Sequence, residues 1–145
     1  MKKNTKAKNG LIGAIANRRD RHPDSKILML ADAKTEIGLE RWVAQRRYAV
    51  PDATLGDVAE EIGVSQVQLS FYFRVILGIR FSTWRKRIRI RDAKILLIQE
   101  PDKSLASIGE AVGIADKSDF RRQFREIVGM SPAEYREKLL GLVEE

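Results

Sequence analysis

Five side chains able to bind an acidic partner crowd into the stretch "ADKSDFRRQFR": Lys117, Ser118, Arg121, Arg122 and Arg125. An arginine guanidinium presents a planar fork of donors that matches O6 and N7 of guanine, and the same fork fits a phosphate. This is recognition chemistry rather than catalysis. The rest of the chain offers little to a reaction. There is no cysteine, and the single histidine, His22, lies in the loop-like "RHPD". No paired carboxylates, phosphate-cradling glycine loop or metal-ligand spacing is present. The sequence therefore predicts no enzyme, no cofactor and no metal. Asp116 and Asp119 need explaining, since two acids beside the arginines would repel a polyanion.

The charge distribution narrows the partners. Of the net charge of +7, most belongs to residues 1–26, where eight Lys or Arg side chains face only Asp20 and Asp24. The remainder is close to neutral, with one basic stripe: residues 74–94 hold eight Lys or Arg against Asp92. A stripe of this kind is either a solvated helix face or a polyanion contact. No apolar run approaches the roughly 20 residues that span a bilayer, and "GLIGAIAN" is too short for a signal peptide. With 145 residues, 43% of them hydrophobic, the chain has the size of about one domain.

The elements that position these groups are read as helices throughout. Residues 1–24 are basic and punctuated by Gly10, Gly13 and Pro23, which predicts a disordered tail. Residues 25–50 read as a helical segment, capped by Ser25, closed by Pro51 and open to division at Gly38. Trp42 is expected in the core. "KRIRIRD" alternates as a strand would, but it lies in a run without breakers from Ser82 to Pro101, so residues 82–100 are expected as a helix.

A duplication organises the rest. "TLGDVAEEIGVS" (54–65) matches "SLASIGEAVGIA" (104–115), and beyond the turn Leu69, Phe73 and Gly78 match Phe120, Phe124 and Gly129. The offset grows by one residue between the two helices of each copy. Each copy runs from a hydroxyl N-cap through a short helix to a glycine, a turn and a second helix. That is a helix-turn-helix, which projects its second helix into a DNA major groove. The units are expected over 51–81 and 101–141, with second helices at about 65–77 and 117–128. "SQVQ" and "DKSD" are read as capping boxes, so Asp116 and Asp119 start the second reading helix. "SPAE" begins a final helix with Pro132 in its first turn.

At 100° per residue, Phe120 and Phe124 share the core face of the second reading helix. Ser118, Arg121, Arg122 and Arg125 lie opposite, with Lys117 at the flank. In the first copy Leu69 and Phe73 face the core, which leaves Gln66, Val67, Ser70, Phe71 and Arg74 outward. Val67 and Phe71 suit either thymine methyls or a protein neighbour. The connector of roughly 17 residues is ~25 Å long and, with its turns, spaces the reading helices about one DNA turn, ~34 Å, apart. Its Arg85, Lys86, Arg87, Arg89 and Arg91 are divided between phosphates and ion pairs with Asp92, Glu100 or the acidic first helices.

Residues 54–138 resemble the AraC/XylS-type DNA-binding domain. The resemblance is carried by "TLGDVAEEIGVSQVQLSFYFRVILGIRFSTW", "RIRIRDAKILL" and "SLASIGEAVGIADKSDFRRQFREIVGMSPAEYR". It implies an all-α fold of two homeodomain-like helix-turn-helix subdomains joined by a linker helix, here with an N-terminal helical extension. It implies base reading by Val67, Ser70 and Phe71 in the first motif and by Lys117, Ser118, Arg121 and Arg122 in the second. Phosphate contacts are expected from Gln66, Arg74, Lys86, Arg89 and Arg125. The implied role is a sequence-specific regulator of transcription, an activator in the cytoplasm, with double-stranded DNA as partner and RNA polymerase as a second one. Gly109 stands where a small alanine is usual, which weakens that helix by about 1 kcal/mol. Two alternatives stand beside this reading. One is architectural binding driven by the basic tail. The other is the output end of a longer sensor protein.

Overall fold

The computed structural model describes residues 25–144, and the predicted tail at 1–24 lies outside them. The described residues form helices and turns, without a strand. In order they are α1 (Ser25–Ala44), a 3-10 turn (Arg47–Ala49), α2 (Leu55–Ile62) and α3 (Gln66–Phe71), which runs on as a π-helical segment (Tyr72–Leu77). Then come α4 (Phe81–Gln99), α5 (Leu105–Ala111), α6 (Lys117–Val128) and α7 (Pro132–Glu144). The chain forms two units. One comprises α1 to Gln45 together with Ala53–Phe81, and the other Arg46–Asp52 together with Ser82 onward.

In the first unit α1 packs on α2 and α3. Trp42, Val58, Leu69, Tyr72 and Phe73 are buried. Phe81 stacks at 6.1 Å from Trp42 and 5.4 Å from Phe73, in tilted and edge-on geometries that aromatic quadrupoles favour. Gly38 does not divide α1. A methyl group there would come within 2.8 Å of Ile62 Cβ, so the missing side chain admits α2. The helix ends at Ala44, well before Pro51, because Arg46 takes a left-handed conformation (φ 58°) that no α-helix continues through. The expected single segment over 25–50 is therefore split, and residues 46–52 group with the second unit.

Those residues form a strap held by α4. Tyr48 Oη donates to Asp92 Oδ2 at 2.7 Å, and the Arg46 guanidinium pairs with both oxygens of the same carboxylate. Burial and the bond to Asp92 push the Tyr48 phenol up to about 12. So Asp92 is paired from the strap rather than by a connector arginine, and Glu100 is taken by Lys103 at 3.0 Å. The strap also explains a glycine. Gly113 sits at φ +94°, and a methyl group on it would lie 2.7 Å from Ala49 O.

The second core gathers Ile90, Ala93 and Leu97 of α4, Ile108 and Val112 of α5 and its turn, and Phe120 and Phe124 of α6. Tyr135 of α7 closes it edge-on to Phe124 at 5.6 Å. Gly109 is required here. A methyl group would meet Ile114 O at 2.8 Å and the Phe120 ring at 3.1 Å, so the glycine sets how closely α5 and α6 approach. Arg136 of α7 fastens the end of α4. Its guanidinium donates to the carbonyls of Leu97, Glu100 and Lys103 at 3.0, 3.1 and 2.7 Å, tying the last turn of the helix to the turn that follows it.

Candidate nucleic-acid interface

The two second helices start as their sequences dictate. Ser65 Oγ accepts from Gln68 N–H, and Gln68 Oε1 accepts from Ser65 N–H, at 3.1 and 3.0 Å. The same reciprocal pair joins Thr54 to Asp57 at the start of α2 and Ser131 to Glu134 at the start of α7. At α6 only half of it forms. Asp116 accepts from Asp119 N–H at 2.9 Å, but the Asp119 carboxylate turns outward to Arg122. The predicted box at "DKSD" is thus an N-cap alone. The turn between helices is one residue longer in the second copy, since Asp116 caps three residues after Gly113 whereas Ser65 caps two after Gly63.

On α6 the expected faces separate. Phe120 and Phe124 are buried, and Lys117, Ser118, Arg121, Arg122 and Arg125 are all exposed. Lys117, Arg121 and Arg125 recur every four residues, so they share one flank. They overlook an open cleft of about 660 Å³ with Leu105, Ile114 and Phe120 among its lining. None of the three has an ion pair among the described residues. Arg122 lies on the other flank. Its Nη2 is 2.7 Å from Asp119 Oδ1 and its Nη1 3.8 Å from Glu126 Oε1. The bond it donates to Asp119 holds this guanidinium above its usual proton affinity. Glu126 also reaches Lys86 of α4, at 3.7 Å. The sequence reading missed these acid partners, although Asp119 and Glu126 stand three and four residues from Arg122, the spacing at which helix side chains meet.

The second helix of the first motif presents a different surface. Gln66, Val67 and Arg74 are exposed, with Val67 80% open to solvent, while Ser70 and Phe71 are half-buried. The expected single α-helix over 65–77 becomes π-helical from Tyr72. Face assignments at 100° per residue stop there, and Tyr72, which the pattern left unassigned, is buried beside Phe73.

One of the arginines expected at phosphate is turned inward. Arg89 is only 8% exposed, and its guanidinium donates to the strap, Nε to Tyr48 O at 2.7 Å and Nη2 to Val50 O at 2.9 Å. Burial, with the nearby Arg85 charge, pushes it down to about 10. It fastens the strap to α4 within the second unit. Alternation within "KRIRIRD" hid this, because a helix turns one of those arginines inward. Of its neighbours, Lys86 is half-buried, and Arg87 and Arg91 are exposed. Among the described residues no cluster of His, Cys, Asp or Glu could hold a metal ion. None of their helices is long and apolar enough to cross a membrane.

Comparison with known proteins agrees with this geometry. A family model described as a helix-turn-helix domain matches residues 58–138. The arabinose operon regulatory protein of Escherichia coli K12 is 38% identical over 82 residues, which are 57% of this chain and 28% of that protein. An uncharacterized HTH-type transcriptional regulator of Bacillus subtilis, YisR, is 28% identical over 115 residues, covering 79% of this chain and 40% of the relative. The chain thus spans well under half the length of these relatives. Among solved structures, the C-terminal domain of AraT, a response regulator from Geobacillus stearothermophilus, aligns with a TM-score of 0.63 and 31% identity. It covers 72% of this chain and 84% of that one. An AraC-type transcriptional regulator from Chromobacterium violaceum aligns with a TM-score of 0.61 and 28% identity, over 73% and 95% of the two chains. The duplicated helix-turn-helix, its linker helix and these matches together place the chain in the AraC/XylS family of helix-turn-helix regulators.

Proposed function

We propose that this protein binds double-stranded DNA at a particular sequence and regulates transcription, with the second motif as the main base reader. The observation that carries this reading is α6, capped by Asp116, anchored by Phe120 and Phe124, and presenting Lys117, Ser118, Arg121, Arg122 and Arg125 outward. Arg122 and Arg121 supply forks for base edges or phosphates, Lys117 and Ser118 supply point donors, and Arg125 supports the backbone contact. The first motif adds Val67 and Phe71 as apolar groups for thymine methyls, Ser70 as a donor, and Gln66 and Arg74 toward phosphate. Lys86 contributes a phosphate contact from the linker helix. The family is one of transcription regulators rather than enzymes. An activating role in the cytoplasm through contact with RNA polymerase completes the proposal.

Selection from random duplexes, with and without residues 1–26, tests it. A defined motif is expected from both forms. Selection of nothing, with binding lost on removing the tail, would instead mark an architectural binder. Within the selected site, Arg122→Ala is expected to cost ~1–3 kcal/mol and relax one base preference. Equal loss on selected and scrambled duplexes would remove Arg122 from the readers.

A further inference from the structure

The acids of α6 do more than start a helix. In α2, α3 and α7 the side chain at the third position returns a hydrogen bond to the capping residue's N–H. In α6 that position holds Asp119, and its carboxylate is spent on Arg122 at 2.7 Å. Glu126 stands on the other side of the same guanidinium and bridges toward Lys86. Of the exposed cations on α6, Arg122 has acidic partners, whereas Lys117, Arg121 and Arg125 have none among the described residues.

We propose that Asp119 is a specificity-determining residue, which holds Arg122 away from random phosphates and presents its guanidinium edge-on to a base. The proposal rests on the DNA-binding reading above. An exposed ion pair is weakly held in water, so a partner with the right geometry displaces it readily. A guanine edge supplies two acceptors to the fork and carries no full charge to repel Asp119. A phosphate offers a charge in exchange for a charge, with the Asp119 carboxylate left facing it. The penalty therefore falls mainly on wrong sequences, the arrangement by which a protein gains discrimination from a repulsive element.

The test measures affinity of the full chain for its selected duplex and for a scrambled one, across a salt series. Asp119→Asn is expected to tighten scrambled DNA by about five- to tenfold near ~0.1 M salt, the effect of about one added phosphate contact, and to steepen that salt dependence by about 1. Binding to the selected duplex should change by less than about twofold, because lost aim offsets gained charge. Glu137→Gln removes an exposed acid of α7 as a control for net charge. In an Arg122→Ala background, Asp119→Asn should no longer alter the ratio between duplexes. Equal tightening on both duplexes, as in the control, or a ratio change that survives without Arg122, overturns the inference. A wild-type ratio near one overturns the proposed function and takes this inference with it. A high wild-type ratio that Asp119→Asn leaves unchanged overturns the inference alone.

Discussion

Replacing Arg89 by alanine separates a structural arginine from a DNA-binding one. Two hydrogen bonds from a charged donor are lost, worth about 1.5–3 kcal/mol each. Against them stands burial, together with the nearby Arg85 charge, which lowers the guanidinium from 12.5 to about 10. At about 1.4 kcal/mol per pH unit, that opposes the bonds by about 3 kcal/mol. The bonds together are worth about 3–6 kcal/mol, so the burial cancels half or more of them, and the balance turns on what the substitution leaves behind. The carbonyls of Tyr48 and Val50 lose their partners, and the packing of the arginine stem is lost with them. A net loss of about 2–4 kcal/mol follows, or a fall of roughly 8–32 °C in the melting of the second unit at about 4–8 °C per kcal/mol. Urea unfolding followed by circular dichroism measures the first, and thermal scans the second. DNA affinity is then measured at low temperature, where the variant is folded, across a salt series. The slope of affinity against salt should match the wild type. A slope reduced by about 1, with stability unchanged, would show that Arg89 reaches phosphate and that its burial was misjudged.

Three further outcomes are expected. Gly109→Ala should destabilise by ~1–3 kcal/mol despite the better helix former, because its methyl group meets Ile114 O; a gain in urea midpoint would refute the close approach. Arg136→Ala should cost about 2–4 kcal/mol and speed hydrogen exchange near the end of α4, since three hydrogen bonds from one guanidinium are lost; unchanged exchange from Leu97 to Lys103 would argue against the clasp. The bonds from Thr54 hold the Asp57 carboxyl below its ordinary 3.8. Its contribution is therefore present above that value and lost as pH falls through it toward the lowered folded value. The stability gap between wild type and Asp57→Asn should be widest near neutral pH and close in acid. A gap independent of pH would assign the effect to shape rather than charge.

Much of this architecture was legible because its signals are local. Caps, glycine stops and helical spacing at Thr54, Ser65, Ser104, Asp116 and Ser131 each act within a few residues, and the duplication repeats them in register. What escaped depends on distant partners. Nothing near Arg46 announces its left-handed turn, and nothing in "KRIRIRD" says which arginine meets the strap, because Tyr48 and Val50 lie about 40 residues earlier. Gly109 reads as a weakness from propensity and as a necessity once Ile114 and Phe120 are seen beside it. At the interface, residue types disclosed the cations of α6. The pairing that sets Arg122 apart depends on side-chain direction, which spacing permits but does not choose.

The π-helical segment after Phe71 carries a consequence for the DNA itself. The second helices run from Gln66 to Leu77 and from Lys117 to Val128, equal in length and closed by matching glycines. Yet hydrogen bonds that reach one residue further wind the first more loosely in its latter half. Side chains at matching positions, such as Arg74 and Arg125, therefore leave their helices in different directions. Ancestral symmetry in the protein has been broken in its winding. On the proposed function, an operator for such a pair has no reason to be a tandem repeat, and its two halves are better sought as unrelated words than as copies of one.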